Sequence, residues 1–263
     1  MSKISIKLQG GLGNLMFQIA CAKAYSLRHN KELILSSDNY GFGHNHFSFY
    51  NDNIFSNIEI KDVKLNGFTQ WIEPGFNYIN IPNTSDSLYL NGYYQNEKYF
   101  KDFKSEIKEL FSYPNGEKER ILTPYKETLI NNEVCSIHVR RGDYLNLPDH
   151  HPVQNMNYYM KAIKMMPRDC KFLIFSDDLE WCKQNFPDIS DKFIFVDGNK
   201  DYEDLLIMSQ CNHNIIANSS FSWWAAWLNC NHDKKVIAPL KWFGPAHSHL
   251  DSSDIYAENW ITI

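Results

Sequence analysis

Short β-branched runs alternate with helical periodicity from Val134 to Ala238, and that alternation restricts the fold more than any other feature of the chain. Strands are expected at 134–139, 171–175, 193–196, 213–217 and 236–238, with helices at 155–166, 179–185, 202–210 and 221–230 between them. Strands separated by helices on short loops make a parallel, doubly wound α/β sheet with right-handed crossovers. In such a sheet ligands gather outside the carboxyl ends of the strands. Chemistry is therefore to be sought where each strand stops.

The stretch Cys135–Tyr144, C-S-I-H-V-R-R-G-D-Y, stops abruptly. Val134, Ile137 and Val139 favour a strand, and Gly142 takes the chain out of the sheet. His138, Arg140, Arg141 and Asp143 are thereby collected at one strand end. Two adjacent guanidiniums suit a bidentate grip on a diphosphate; the bland alternative is an Arg–Asp surface pair of little energetic weight. Neighbours on an extended strand point to opposite faces, so both arginines reach one phosphate only if the strand bends at Arg141. Arg140 shares its face with His138 and is expected to matter more. Polar groups recur at two further ends. Phe175 is followed by Ser176, Asp177 and Asp178, which read as a helix N-cap more readily than as metal ligands, because the arginines already supply positive charge. Ala217 is followed by Asn218, Ser219, Ser220, Phe221 and Ser222. This serine-rich turn either holds a phosphate with hydroxyls and free N–H groups or simply caps a helix through Ser220 or Ser222.

The first half is less regular. Ile4 to Leu8 alternates as a strand, Gln9-Gly10-Gly11-Leu12-Gly13-Asn14 is a glycine turn, and Leu15 to Leu27 has helical periodicity. The turn is neither a dinucleotide fingerprint, lacking a third spaced glycine, nor a P-loop, lacking Gly-Lys-Ser/Thr. Either Asn14 caps the helix, or Gly11, Gly13 and Asn14 are set against a ligand. Lys31–Ser36 and Ser87–Tyr94 read as strands. Asn96 opens a helix whose apolar stripe runs to Phe111. Asp38 to Asn53 is a long loop whose His44 and His46 lack a third metal ligand. Asn66 to Asn83 mixes Phe68, Trp71, Phe76 and Tyr78 with polar residues, which suits core packing or stacking on sugars. Asn115–Asn132 is polar and marks the expected boundary. It separates an N-terminal domain at 1–130 from a second at 131–245, with a tail at 246–263 packing back on the body.

Composition removes some classes. A net charge of −5 gives no support to a nucleic-acid footprint. No run approaches the roughly 20 apolar residues of a membrane span, and the start has no signal-peptide core. The six cysteines are dispersed without a C-x-x-C pair, as expected of reduced, buried thiols in a cytoplasmic protein, at most peripheral to a membrane.

Three stretches taken together, Gln9–Gln18 (Q-G-G-L-G-N-L-M-F-Q), His138–Tyr144 (H-V-R-R-G-D-Y) and Asn218–Leu228 (N-S-S-F-S-W-W-A-A-W-L), resemble the alpha-1,2-fucosyltransferase family in order and spacing along nearly the whole chain. The F-S-D-D at 175–178 and the stretch Asp201 to Asn218 resemble it too. Leu15 stands where that family usually has Gln, and the chain is on the short side, so acceptor choice and acceptor-side loops are expected to differ. The resemblance implies a GT-B-like fold of two Rossmann-like domains, the first on the acceptor side and the second binding the donor nucleotide. It implies GDP-L-fucose as donor, with no metal and no other cofactor. With the strand-end and glycine-turn readings above, the expected donor-binding residues are Gly11, Gly13, His138, Arg140, Asp177, Asp204, Ser219, Ser220, Phe221 and Ser222. Asp204 enters by looser similarity to protein O-fucosyltransferases and alpha-1,6-fucosyltransferases, in the place of a carboxylate that accepts from guanine N1–H and the 2-amino group. The implied activity is inverting transfer of L-fucose to a hydroxyl, expected at O2, of a galactose-containing glycan, which in one version is lipid-linked at a membrane surface. Arg140, Arg141, Asp143 and Asn14 are the expected catalytic residues. The group that takes the acceptor proton is not evident. Asn14, matched by an Asn in the glycine loop of protein O-fucosyltransferases, is a poor base, and Asp143 could instead orient the arginines. Rival readings are a transferase using another nucleotide sugar and a non-catalytic nucleotide-sugar or glycan-binding protein.

Overall fold

The computed structural model describes residues 2–36, 47–61, 63–187 and 191–263; His44 and His46 lie outside them. The chain forms two units, Met1–Glu117 with Asp251–Ile255, and Lys118–Leu250 with Tyr256–Ile263.

The first unit contains β1 (Lys3–Ile6), α1 (Leu12–His29), β2 (Glu32–Leu33), β3 (Leu35–Ser36), β4 (Ile60–Lys61), β5 (Thr69–Ile72), β6 (Leu88–Asn91) and α2 (Lys104–Leu110). Strands β2, β1, β6 and β5 make a parallel sheet in that order, and β3 pairs with β4. Ile4, Ile6, Leu88 and Leu90 are buried in it, and α1 is buried along most of its length. Asn30, in the left-handed region at φ 49°, ends α1 and returns its N–H to the Ser26 carbonyl. Strand β5 is not announced by the sequence. Thr69-Gln70-Trp71-Ile72 is an edge strand with little burial, so its side chains carry no clear alternation. The helix expected from Asn96 is also broken. Two 3₁₀ turns, Glu97–Tyr99 and Lys101–Phe103, precede α2. The Asn96 side chain accepts from the Lys98 N–H, and burial of Tyr99 and Phe100 takes precedence over helical continuity.

The second unit begins with helices where a polar linker or a short helix was expected, α3 (Asn115–Leu122) and α4 (Lys126–Asn131). Then follow β7 (Val134–Val139), α5 (Met156–Lys164), β8 (Lys171–Ser176), α6 (Leu179–Asn185), β9 (Phe193–Phe195), α7 (Asp201–Gln210), β10 (His213–Ile215), α8 (Ser220–Leu228), β11 (Val236–Ala238) and β12 (Ile261–Thr262). The units divide within α3 rather than near 130, because Arg120 pairs with Glu203 and the Tyr125 hydroxyl accepts from Asn199, tying this segment to α7 and the turn before it. All six strands are parallel, in the order β12-β11-β10-β7-β8-β9. Strand β7 lies between β10 and β8, and all its residues are buried.

The two faces of β7 meet different helices. Cys135, Ile137 and Val139 join the core that holds Tyr159 of α5, Cys182 of α6 and Phe186. Ser136 and His138 face the other way. Ser136 receives a bond from Asn214, which also donates to the Met208 carbonyl of α7, and His138 meets Phe221 of α8 edge-on. Trp223, Trp224 and Trp227 are buried, and with Ser222, Ala225 and Ala226 they bury the middle of α8 all round.

Candidate active site

The period of two along β7 continues past its end and sorts the two arginines. Arg141 follows the α5–α6 face. Its Nε donates to Asp178 at 2.9 Å, and its guanidinium lies over the Trp181 ring, 4.0 Å from the centroid. Asp178 also caps α6 by accepting from the Trp181 N–H, which settles the expected N-cap role on Asp178. Arg140 follows the α8 face. It bridges to Asp143 at 2.7 Å and Asp177 at 3.1 Å, and packs over Tyr144 at 5.4 Å from its centroid. Asp177 is anchored twice, since it also accepts from the Arg141 N–H at 2.9 Å. A Cβ at Gly142 would stand 2.6 Å from Asp177 Oδ2, so only glycine lets the strand turn against that carboxylate.

His138 is buried, and its Nδ1 has no hydrogen-bond partner. Burial, aided by the Arg140 charge, pushes its pKa down to about 3, so the ring is neutral. Beside it the α8 turn is open. The N-cap is Ser219, not Ser220 or Ser222; its side chain makes no cap bond, and no acidic residue stands in the first turn. Ser222 is buried and donates instead to the Ser219 carbonyl. The structure thus brings His138, Arg140, Arg141, Asp143, Asp177, Ser219, Ser220, Phe221 and Ser222 to the carboxyl edge of one sheet. Tyr144 was not singled out by sequence. Its hydroxyl donates to the Asn218 carbonyl at 3.0 Å, joining two strand ends, and burial pushes its pKa up to about 12.

Asp204 lies in the first turns of α7. Its carboxylate accepts from Asn199 at 3.0 Å, and burial raises its pKa to about 7. Among the described residues no hydrogen bond or ion pair joins it to the Arg140 group. Nor do these residues hold three His, Cys, Asp or Glu side chains grouped as a metal site.

In the first unit the glycine turn is laced by side chains. Gln18 is fully buried; its Oε1 accepts from the Gln9 N–H and its Nε2 donates to the Gln9 carbonyl. Gly11, not Asn14, is the N-cap of α1, and it has no side chain to offer. Gly13 is buried within the helix. Asn14 accepts from Gln95 at 2.7 Å, a partner 81 residues away that no local signal announces. Gly10, at φ 88°, needs the conformational freedom of glycine.

A family model described as glycosyl transferase family 11 matches residues 2–263. Over its full length the chain is 32% identical to an alpha-1,2-colitosyltransferase of Escherichia coli, 99% of which it covers. It is 29% identical, over 97% of its length and 99% of the relative, to the O-antigen biosynthesis glycosyltransferase WbnK of the same species. A bovine galactoside 2-alpha-L-fucosyltransferase, SEC1, is 26% identical over 60% of this chain and 45% of its own. Of solved structures, the fucosyltransferase NodZ from Bradyrhizobium aligns with a TM-score of 0.57 at 14% identity, covering 86% of this chain and 93% of that one. The same alpha-1,6-fucosyltransferase co-crystallized with GDP gives 0.56. This likeness shows the fold, a GT-B-like pair of Rossmann-like units whose C-terminal member is a doubly wound parallel sheet.

Proposed function

Because the chain belongs to glycosyl transferase family 11, we propose that it transfers L-fucose from GDP-L-fucose, with inversion, to O2 of a galactoside in a glycan. The observation that carries this reading is Arg140. Its guanidinium keeps 28% of its side chain exposed at the sheet edge, beside a neutral imidazole and the uncapped start of α8. A diphosphate arriving there meets a planar fork of donors and the positive end of a helix. Asp143, the more exposed of the two carboxylates on Arg140, yields its place, while Asp177 stays because it also holds the Arg141 backbone. As the bond from the fucose anomeric carbon to the diphosphate breaks, its electron pair leaves with GDP. Arg140 stabilises the charge that gathers on the departing oxygens. Asp204 takes the guanine edge, and the serine turn takes phosphate and ribose.

No metal enters this scheme, since Asp177 and Asp178 are both committed to guanidiniums. Transfer is expected to survive excess EDTA; loss on chelation, restored by magnesium or manganese, would turn both carboxylates into ligands. The acceptor side is assigned to the first unit, and the glycan to the cytoplasmic face of a membrane as a lipid-linked chain. Among the described residues no helix is long and apolar enough to cross a membrane.

A second reading concerns the donor. Full-length identity of 32% to a colitosyltransferase favours nucleotide-activated colitose. One assay decides between them. GDP-fucose and the colitose donor are offered in parallel with a set of galactosides, and the product linkage is determined. Turnover of GDP-fucose with an O2 linkage supports the first reading, and a strong preference for colitose supports the second. Binding of GDP without turnover of either donor would leave a nucleotide-binding protein.

A further inference from the structure

Transfer to a hydroxyl requires a group that takes its proton, and most groups near Arg140 are otherwise engaged. Asp177 bridges to Arg140 and holds the Arg141 backbone, and Asp178 holds Arg141 and caps α6. Asp143, which an arriving diphosphate displaces from Arg140, is the rival base. A loss of kcat of about a hundredfold in Asp143→Asn, with His151 variants unaffected, would favour it. His138 has a buried Nδ1 and too little basicity to hold a proton near neutral pH. One residue further out the situation changes. Tyr144 packs under Arg140, and His151 stacks on Tyr144 with centroids 4.7 Å apart and planes inclined by 19°. The Tyr144 ring is pinned through its hydroxyl to the Asn218 carbonyl, so the stack gives His151 a defined place beside the Arg140 group. His151 is only half-buried, and neither of its ring nitrogens has a hydrogen-bond partner among the described residues. Its neighbour His150 differs, with Nδ1 engaged by His247 Nε2 at 3.0 Å. The loop carrying His247 is seated against this one. The Gly244 N–H donates to the His150 carbonyl at 2.9 Å and the Ala246 N–H to the Asp149 carbonyl at 2.8 Å. A Cβ at Gly244 would collide with the Asp149 backbone, so the close fit of the two loops requires a glycine.

Building on the transfer reading above, we propose that His151 is the general base of the reaction. A ring nitrogen of His151 takes the proton as the acceptor O–H bond breaks. The acceptor oxygen bonds to the anomeric carbon, and the electron pair of the breaking carbon–oxygen bond leaves on GDP. The groups facing His151 are Asp143 and Arg140 from the end of β7, His150 on its own loop and His247 from the facing loop. Burial first, then the His247 charge, hold its pKa below the usual 6.5 against the opposing pull of Asp143, so the ring is ready to accept a proton near neutrality. The rate should fall as pH drops through that lowered value.

The test compares wild type with His151→Ala and with His151→Gln, which keeps a flat side chain on Tyr144. The donor is the one the wild type turns over, used with a galactoside acceptor. Both variants should bind GDP within about twofold of wild type while kcat falls about a hundredfold or more, the usual weight of a general base. The acidic limb of the kcat profile should vanish, and added imidazole should restore part of the rate of His151→Ala. A purely structural role predicts neither effect. A kcat within about threefold of wild type in either variant, or a loss that imidazole does not touch while the acidic limb persists, overturns the proposal. Wild-type protein that transfers no sugar from either donor overturns the functional reading, and this proposal with it; wild-type turnover with unaffected variants overturns this proposal alone. Should His151→Ala fail to fold, the pH profile and kcat of His151→Gln decide.

Discussion

On the α8 side of the carboxyl end of β7, Arg140 is held by two carboxylates yet keeps 28% of its side chain exposed. On the α6 side, one residue later, Arg141 is down to 15%, bonded through Nε to a helix-capping aspartate and covered by an indole. The residues are identical and adjacent, so the difference owes nothing to their own chemistry. It comes from the pleat, which sends neighbours to opposite faces, and from what each face meets. Arg141 meets a helix that completes its hydrogen bonding. Arg140 meets an exposed carboxylate on its own turn, Asp143, which leaves it able to exchange that carboxylate for a phosphate.

Substitutions can break or sharpen that contrast. Arg140→Lys keeps the charge and loses the planar fork; kcat should fall about a hundred- to thousandfold with a smaller change in KM and an unchanged circular dichroism spectrum. A folded Arg140→Lys enzyme with near-normal kcat would make Arg140 structural too and erase the distinction. Asp204 tests whether the nucleotide lies on the same α7–α8 side. Asp204→Asn should weaken GDP by about 1–3 kcal/mol in calorimetry, by placing a donor where the guanine edge needs an acceptor. The wild type adds a pH signature. Burial raises the pKa of Asp204 to about 7, so it is partly protonated near neutrality, and only the ionised form accepts both guanine donors. GDP affinity should therefore rise with pH towards 7, by up to about tenfold per unit below it, and level off above. Stability has the opposite sign: it is highest below 3.8 and falls as pH climbs from 3.8 to about 7, because ionising this buried carboxyl opposes folding, and Asp204→Asn should remove that loss. A GDP affinity flat in pH would take Asp204 out of the site.

Arg141→Lys should act on the fold instead, lowering unfolding free energy by about 1–2 kcal/mol through loss of the Trp181 stack and the Nε bond, with kcat within about tenfold of wild type. A larger kcat loss than in Arg140→Lys would invert the assignment. The smallest effect belongs to Asp143→Asn. It removes a competitor for Arg140 from an exposed pair, so GDP should bind up to about fivefold tighter, within the 1 kcal/mol such pairs carry. Weaker binding would mean that Asp143 aims Arg140 rather than guards it.

Much of the second unit is legible in the sequence. Strand β7 runs Val134–Val139 as its β-branched residues predict, and α6 and β11 match their expected limits. The reason is that buried parallel strands are continuous apolar runs bounded by turn residues, a signal contained within each segment. In the first unit that signal fades. Strand β5 is an exposed edge, and the break before α2 answers to the burial of Tyr99 and Phe100 rather than to their spacing. Helix capping was read only in part. Asp178 caps as expected, but at α1 and α8 the cap falls on Gly11 and Ser219, residues that do not announce themselves by a side-chain bond.

The sequence by itself determined the alternation of strands and helices, the arginine pair at a strand end, and the serine and glycine turns, because these depend on local backbone preference and on the period of two. Only the tertiary structure decided that Arg141 is bound by Asp178, 37 residues on, that Asn14 belongs to Gln95, and that Tyr144 packs against both His151 and Arg140. Those pairings depend on which helix covers which face of the sheet and on how loops from distant strands meet. Crossover and packing set that arrangement across the whole unit, and no window of neighbouring residues contains it.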